Sequence, residues 1–207
     1  MNRKCIITMM ALAAGALCLT GCSTNTVKHS WKSPACQGSQ IKRIAVIAVD
    51  EREYVRPAVE SRFVRELRNH GKEAITTQDL LGLPEIKADK NAAAARLVAA
   101  GADAVMIVRL ADHKIYADQL RADPAYSTGY TWYDYYLGVY LGTQPIWGND
   151  IQEVYLDCNL FDLKTGERLW SALTETVLNQ GDDRLVAADV LIAKLVKRLS
   201  KDGVVPR

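Results

Sequence analysis

The run Lys42-Arg43-Ile44-Ala45-Val46-Ile47-Ala48-Val49 limits the possible folds more than any other stretch of this chain. It is apolar from Ile44 onward and rich in β-branched residues, which suits a strand buried on both faces. Beyond Val49 the chain alternates helix and strand. Pro57 fits the first turn of a helix. Val59, Phe63 and Leu67 recur at four-residue spacing on one face of that helix, and Gly71 closes it. Glu73 to Thr77 reads as a short second strand. Asp89 or Asn91 caps an alanine-rich helix reaching Ala100, with Gly101 as its stop. Ala104 to Leu110 is a third strand. This order is that of an α/β layer.

The second half changes character. An aromatic, glycine-bearing insert runs over residues 126–147. Val154, Leu156, Cys158 and Leu160 then alternate with Tyr155, Asp157, Asn159 and Phe161, the period of a strand. Lys164-Thr165-Gly166-Glu167 is a turn, and Leu169 to Val177 returns as the antiparallel partner. Leu185, Ala188, Ile192, Leu195, Val196 and Leu199 mark a helical stripe, capped by Asp182 or Asp183 and ended before Gly203. The expected fold class is α/β (α+β): a single mixed-sheet sandwich over residues 41–203, with helices on one face and an antiparallel C-terminal hairpin.

The N-terminus carries an address. Arg3 and Lys4 precede a run of apolar and small residues from Cys5 to Leu19, the n- and h-regions of an export signal. The run is too short for a confident transmembrane helix, which needs about 20 apolar residues. It ends in Leu19-Thr20-Gly21-Cys22, which resembles the lipobox of bacterial lipoproteins. That resemblance implies cleavage of residues 1–21 and lipidation of the Cys22 thiol. Ser23, in place of an Asp after the anchor, implies passage to the outer membrane. Removing 21 residues from 207 leaves 186, enough for one domain with a real core. Arg3 and Lys4 leave with the signal, so the 26 Lys and Arg fall to 24, equal to the 24 Asp and Glu. A neutral chain gives no electrostatic case for nucleic acid. Residues 22–40 are rich in Ser, Thr, Asn, Lys and Gly, with Pro34, and read as a flexible lipidated tether.

Cys5 and Cys18 go with the signal, which leaves Cys36 and Cys158 beside the anchor. Two thiols in an oxidising compartment invite a disulfide; the alternative is that Cys158 is a small buried hydrophobe. Signs of catalysis are sparse. His29 falls in the tether, His70 at a helix end, and His113 beside Asp112 after the third strand. No Gly-x-Ser-x-Gly elbow or phosphate loop is present, and the cysteines lack the paired spacing of a zinc or redox site. Asp157 and Asp162 have two readings: a carboxylate pair facing a glycan, or the polar face of a strand and the residue opening its turn.

The aromatic insert holds six of the nine tyrosines, among them Tyr130, Tyr133, Tyr135, Tyr136 and Tyr140, and it also holds Trp132 and Trp147. Tyr and Trp combine large contact area with a polar tip and are enriched at binding hot spots. Docking of a partner protein, stacking on envelope sugars and resting at the lipid interface all fit. So does a long hairpin whose tyrosines close their own sheet.

The order of these pieces resembles a family of bacterial outer-membrane lipoproteins of unassigned activity. The residues that carry the resemblance are Ser30-Trp31, Arg56 at a helix start, Gly101 to Val105 leading into Ile107 to Leu110, and Asp162, Thr165, Gly166 and Trp170 in the hairpin. The arrangement is also similar to the α/β domain shared by the TolB N-terminal domain, CsgG and LpoB. The resemblance implies a non-catalytic accessory or scaffold without cofactor or metal. It would be anchored by lipid on Cys22 and would act on an unknown envelope protein rather than nucleic acid. A peptidoglycan- or polysaccharide-binding module is the second reading, and a hydrolase with an unrecognised site the third.

Overall fold

The computed structural model describes residues 25–50, 54–111, 131–132, 153–177 and 184–206. Their strands are β1 (Asn25–Lys32), β2 (Arg43–Val49), β3 (Glu73–Thr76), β4 (Ala104–Ala111), β5 (Glu153–Asp162) and β6 (Arg168–Val177). Their helices are α1 (Val55–Asn69), α2 (Leu83–Ala88), α3 (Lys90–Ala99) and α4 (Arg184–Lys201). The strands form one mixed sheet in the order β1-β6-β5-β4-β2-β3. β2 is parallel to both β3 and β4, and β4-β5-β6-β1 is antiparallel throughout. The mixed α/β class and the C-terminal hairpin stand as expected.

Both faces of the sheet are covered by helices, where one was expected. Ile44, Val46 and Ala48 of β2 pack with Val59, Phe63 and Leu67 of α1 and with Ile192, Leu195 and Leu199 of α4. Ala45, Ile47 and Val49 point the other way, onto Leu83 and Ile86 of α2 and Ala93 and Leu97 of α3. The central apolar run demanded this: a strand without a polar side must be roofed twice. The second roof was hard to see because α2 is only six residues long and α3 buries just Ala93 and Leu97.

A second correction concerns residues 22–40. From Asn25 onward they belong to the fold. β1 pairs with β6 from Asn25↔Thr176 to Lys32↔Trp170, with a register shift between Val27 and His29. The connection to β2 is packed as well. Cys36 and Ile41 are buried, and buried Lys72 donates to the carbonyls of Ile41 (2.6 Å) and Gly38 (3.2 Å). A Cβ on Gly38 would lie 2.3 Å from the Gly203 carbonyl oxygen, so the chain passes here only without a side chain.

The short edge strand β3 is completed by a carboxylate. β3 pairs with β2 only as far as Thr76↔Val46. Beyond it the Ala48 amide donates to Glu60 Oε1 at 3.2 Å. Arg56 Nε donates to the same oxygen at 2.8 Å, and the amides of Thr77 and Gln78 reach Oε2 at 2.7 and 2.9 Å. Thr77 Oγ1 lies 3.0 Å from both Glu60 Oε1 and the Val46 carbonyl, and its one proton serves either. Glu60 is fully buried and its charge is met by Arg56, whose Nη2 also donates to the Leu81 carbonyl at 2.8 Å. Satisfied this way, a buried charge is tolerated.

Candidate interaction site

The residues that carried the sequence resemblance have structural duties. Asp103 accepts from the amides of Lys42 (2.7 Å) and Arg43 (3.1 Å), joining the starts of β2 and β4. Gly101 before it has φ +81°, a conformation that favours glycine. Asp162 Oδ1 accepts from the amides of Lys164 (2.8 Å) and Thr165 (2.7 Å) and so shapes the hairpin turn, where Gly166 takes φ +75°. Trp170 is buried, and its Nε1 donates to Asp202 Oδ2 at 2.9 Å, fastening the end of α4 to β6. Arg56 is the partner of Glu60.

Of the aromatic insert, the described residues include only Thr131 and Trp132. Tyr130, Tyr133, Tyr135, Tyr136, Tyr140 and Trp147 lie outside the described residues, as do Cys22, Asp112 and His113. Trp132 is 2% exposed and packs in the second-face core with Phe161 and Leu163. Its amide donates to the Gly166 carbonyl at 3.2 Å. Expected at a partner-binding surface, Trp132 is instead a core residue held against the hairpin turn.

Asp157 and Asp162 do not form a carboxylate pair. Asp162 is taken up by its turn, and Asp157 is buried on the second face, where its Oδ2 lies 3.4 Å from Arg109 Nη2. Asn159 Nδ2 donates to Asp157 Oδ1 at 2.9 Å. Both sides of β5 are therefore covered, and the polar half of its alternation is a buried network rather than a wet face. His70 caps α1, its Nδ1 3.1 Å from the Glu66 carbonyl oxygen, and His29 is exposed on β1. Among the described residues no group of three or more His, Cys, Asp or Glu is placed to hold a metal ion.

Cys36 and Cys158 are free thiols, both buried on the first face. They are not joined in this structure, so here each acts as the small hydrophobe that was the alternative reading. Burial pushes both thiols up, Cys158 well above its ordinary range, with the nearby Asp157 charge adding to the shift. Lys32 pulls Cys36 partly back. Burial lowers Lys72, and Asp103 opposes that shift.

Among the described residues the exposed aromatics are Trp31 and Tyr54. Trp31 is 44% exposed on the edge strand β1, with the Arg168 guanidinium 5.3 Å from its ring centroid. Sequence reasoning placed Trp31 in a resemblance motif but did not read it as a surface group. The signal was there: a large aromatic among polar neighbours has little apolar company to bury it.

No family model matches the chain, and no curated protein matches it. A solved structure does share the fold. A PelC dodecamer from Paraburkholderia phytofirmans superposes with a TM-score of 0.50 at 17% identity, covering 85% of this chain and 97% of that one. A substitution variant of the same PelC gives 0.49 at 16% identity, over 86% and 98%. Lipoprotein GNA1162 from Neisseria meningitidis gives 0.37 at 14% identity, over 77% and 98%. At this level of identity the PelC likeness is one of fold.

Proposed function

We propose that this chain is a non-catalytic cell-envelope lipoprotein, anchored at the outer membrane through Cys22, that works through protein–protein contacts. The observation that carries the reading is exposed Trp31 on the edge strand β1, which begins three residues after the lipobox cysteine, with half-buried Arg168 of neighbouring β6 against its ring. Trp and Arg are the residue types most enriched at interface hot spots, and an edge strand offers unpaired backbone groups beside them. Of the charged groups buried in the described part, Arg56 pairs with Glu60, Arg109 pairs with Asp157, and Lys72 donates to backbone carbonyls. The fold is shared with PelC, itself a dodecamer, so assembly through this surface includes self-assembly as one form of contact.

The test is site-specific photo-crosslinking in intact cells. A crosslinker replacing Trp31 should give a discrete adduct, to another protein or to a second copy. The same group at exposed Asn69 on α1 should not. Equal smears from both positions, or no adduct at Trp31, would refute contact through this surface.

A further inference from the structure

We infer that the end of the sheet where β1 begins lies against the bilayer, with Tyr54, Val186 and Val190, among the described residues, as side chains that meet the lipid surface. The inference rests on the proposed anchor at Cys22 and deepens it by assigning which way the domain stands.

Chain length ties the sheet to the anchor. β1 is paired with β6 from Asn25 onward, and only Ser23 and Thr24 separate Asn25 from Cys22. Three residues of fully extended chain span at most about 11 Å. A lipid on Cys22 therefore holds the first residue of the sheet at the membrane surface, without a linker long enough to let the domain turn over.

The strand register gathers one set of element ends there. Asn25 faces Thr176, Val177 faces Glu153, Tyr155 faces Ala111, and Arg109 faces Val49. The ends of β2, β4 and β6 and the starts of β1 and β5 thus lie together. α1 and α4 start there too, and the Arg62–Asp189 ion pair keeps the two helices level with each other. The hairpin turn, Gly38 and Gly203 lie at the opposite end, along strands of roughly 30 Å.

Apolar side chains are exposed at that end whether or not the anchor is present. Tyr54, at the start of α1, is 69% exposed; Val186 and Val190, in the first two turns of α4, are 60% and 43% exposed. Val186 and Val190 are four residues apart and share one helix face. Tyr is favoured at membrane–water interfaces, where its ring is apolar and its hydroxyl wet. Lys194, Lys197, Arg198 and Lys201 line the groove beside β1 in the later turns of the same helix, away from that end. α4 therefore exposes Val186 and Val190 where the anchor holds it close, beside the ion-paired Asp189, and its lysines where it stands off.

The experiment uses the full mature lipoprotein in phospholipid vesicles containing nitroxide-labelled lipid. A fluorophore is placed in turn on Val186→Cys, Tyr54→Cys and Lys164→Cys; the buried native thiols are left in place. Intact mass confirms lipid on Cys22, and flotation confirms attachment. Labels at positions 186 and 54 should be quenched several-fold more than the label at 164 in the hairpin turn. Equal quenching, or stronger quenching at 164, in a lipidated and floating protein overturns the orientation and leaves the anchor intact. A chain without lipid that fails to float overturns both. Two positions on separate helices guard against one substitution disturbing the fold.

Discussion

The two faces of the sheet are made by the same strands and are filled differently. On the first, β2, β4, β5 and β6 present apolar side chains from Ile44 across to Trp170, and α1 and α4 cover them. On the second, the apolar cover is centred on β2 and β4 under α2 and α3, while Arg109, Asp157, Asn159 and Ser171 are buried toward β5 and β6. Burial and apolarity are therefore separate properties here. The first face shows what transfer from water chiefly holds together. The second shows charged and polar groups buried beside one another, with Arg109 paired to Asp157 across β4 and β5 and Asn159 bonded to Asp157 along β5.

The substitution with the largest expected effect strikes the buried carboxylate of the first-face helix α1. Glu60→Ala removes the acceptor for Ala48, Thr77 and Gln78 and leaves Arg56 buried without its carboxylate. A loss of about 3–5 kcal/mol is expected in chemical denaturation. Trp132→Ala probes the second face and should cost about 3 kcal/mol or more, because it empties a buried site of indole size. An unchanged denaturation midpoint for Trp132→Ala would return this residue to the surface role that its aromatic neighbourhood suggested. Gly38→Ala, at the packed connection below both faces, forces a Cβ against the Gly203 and Val204 carbonyls and should cost about 1–3 kcal/mol.

The thiols offer a smaller, pH-dependent contrast. Burial raises the folded pKa of Cys158 above that of the unfolded thiol, which is about 8.5. The unfolded chain therefore releases this proton first. Stability from keeping the thiol neutral is intact below that pH and erodes as pH climbs from there toward the folded value. Alkylation of Cys36 and Cys158 at pH 8 should be slow in the folded protein and fast in denaturant. Prompt modification under native conditions would contradict their burial, and a disulfide recovered from periplasmic protein would contradict their being free. The smallest stability effect belongs to Trp31→Ala, below about 1 kcal/mol because its ring is exposed and its stacking on Arg168 is wet. Capture of the same partner by a general chemical crosslinker should nevertheless weaken.

The same contrast explains how far the sequence disclosed this fold. β2, β4 and the hairpin were legible because their first-face residues repeat cleanly, and Gly101 before β4 and Asp162 at the hairpin turn mark their bounds. α4 was legible from its stripe. β1 was missed because an edge strand paired on one side keeps polar, exposed side chains, and its register shift at Val27 and His29 breaks the period of two. The second roof was missed because alanine at Ala93 buries little area and gives little periodic signal. On β5, alternation separated two faces correctly, but it could not show that the polar one was also covered. The candidate surface was half legible: the composition of the insert marked Trp132, whose burial composition cannot report, while Trp31 stood alone in a stretch read as tether.

The central claim is that a lipid on Cys22 carries this domain, and the mass of the mature N-terminus tests it most directly. N-terminal peptides from the membrane-extracted protein should begin at Cys22 and carry thioether-linked diacylglycerol, and Cys22→Ala should leave the precursor uncleaved by the lipoprotein pathway. A mature chain that starts elsewhere, with an unmodified Cys22 or none, would contradict the account.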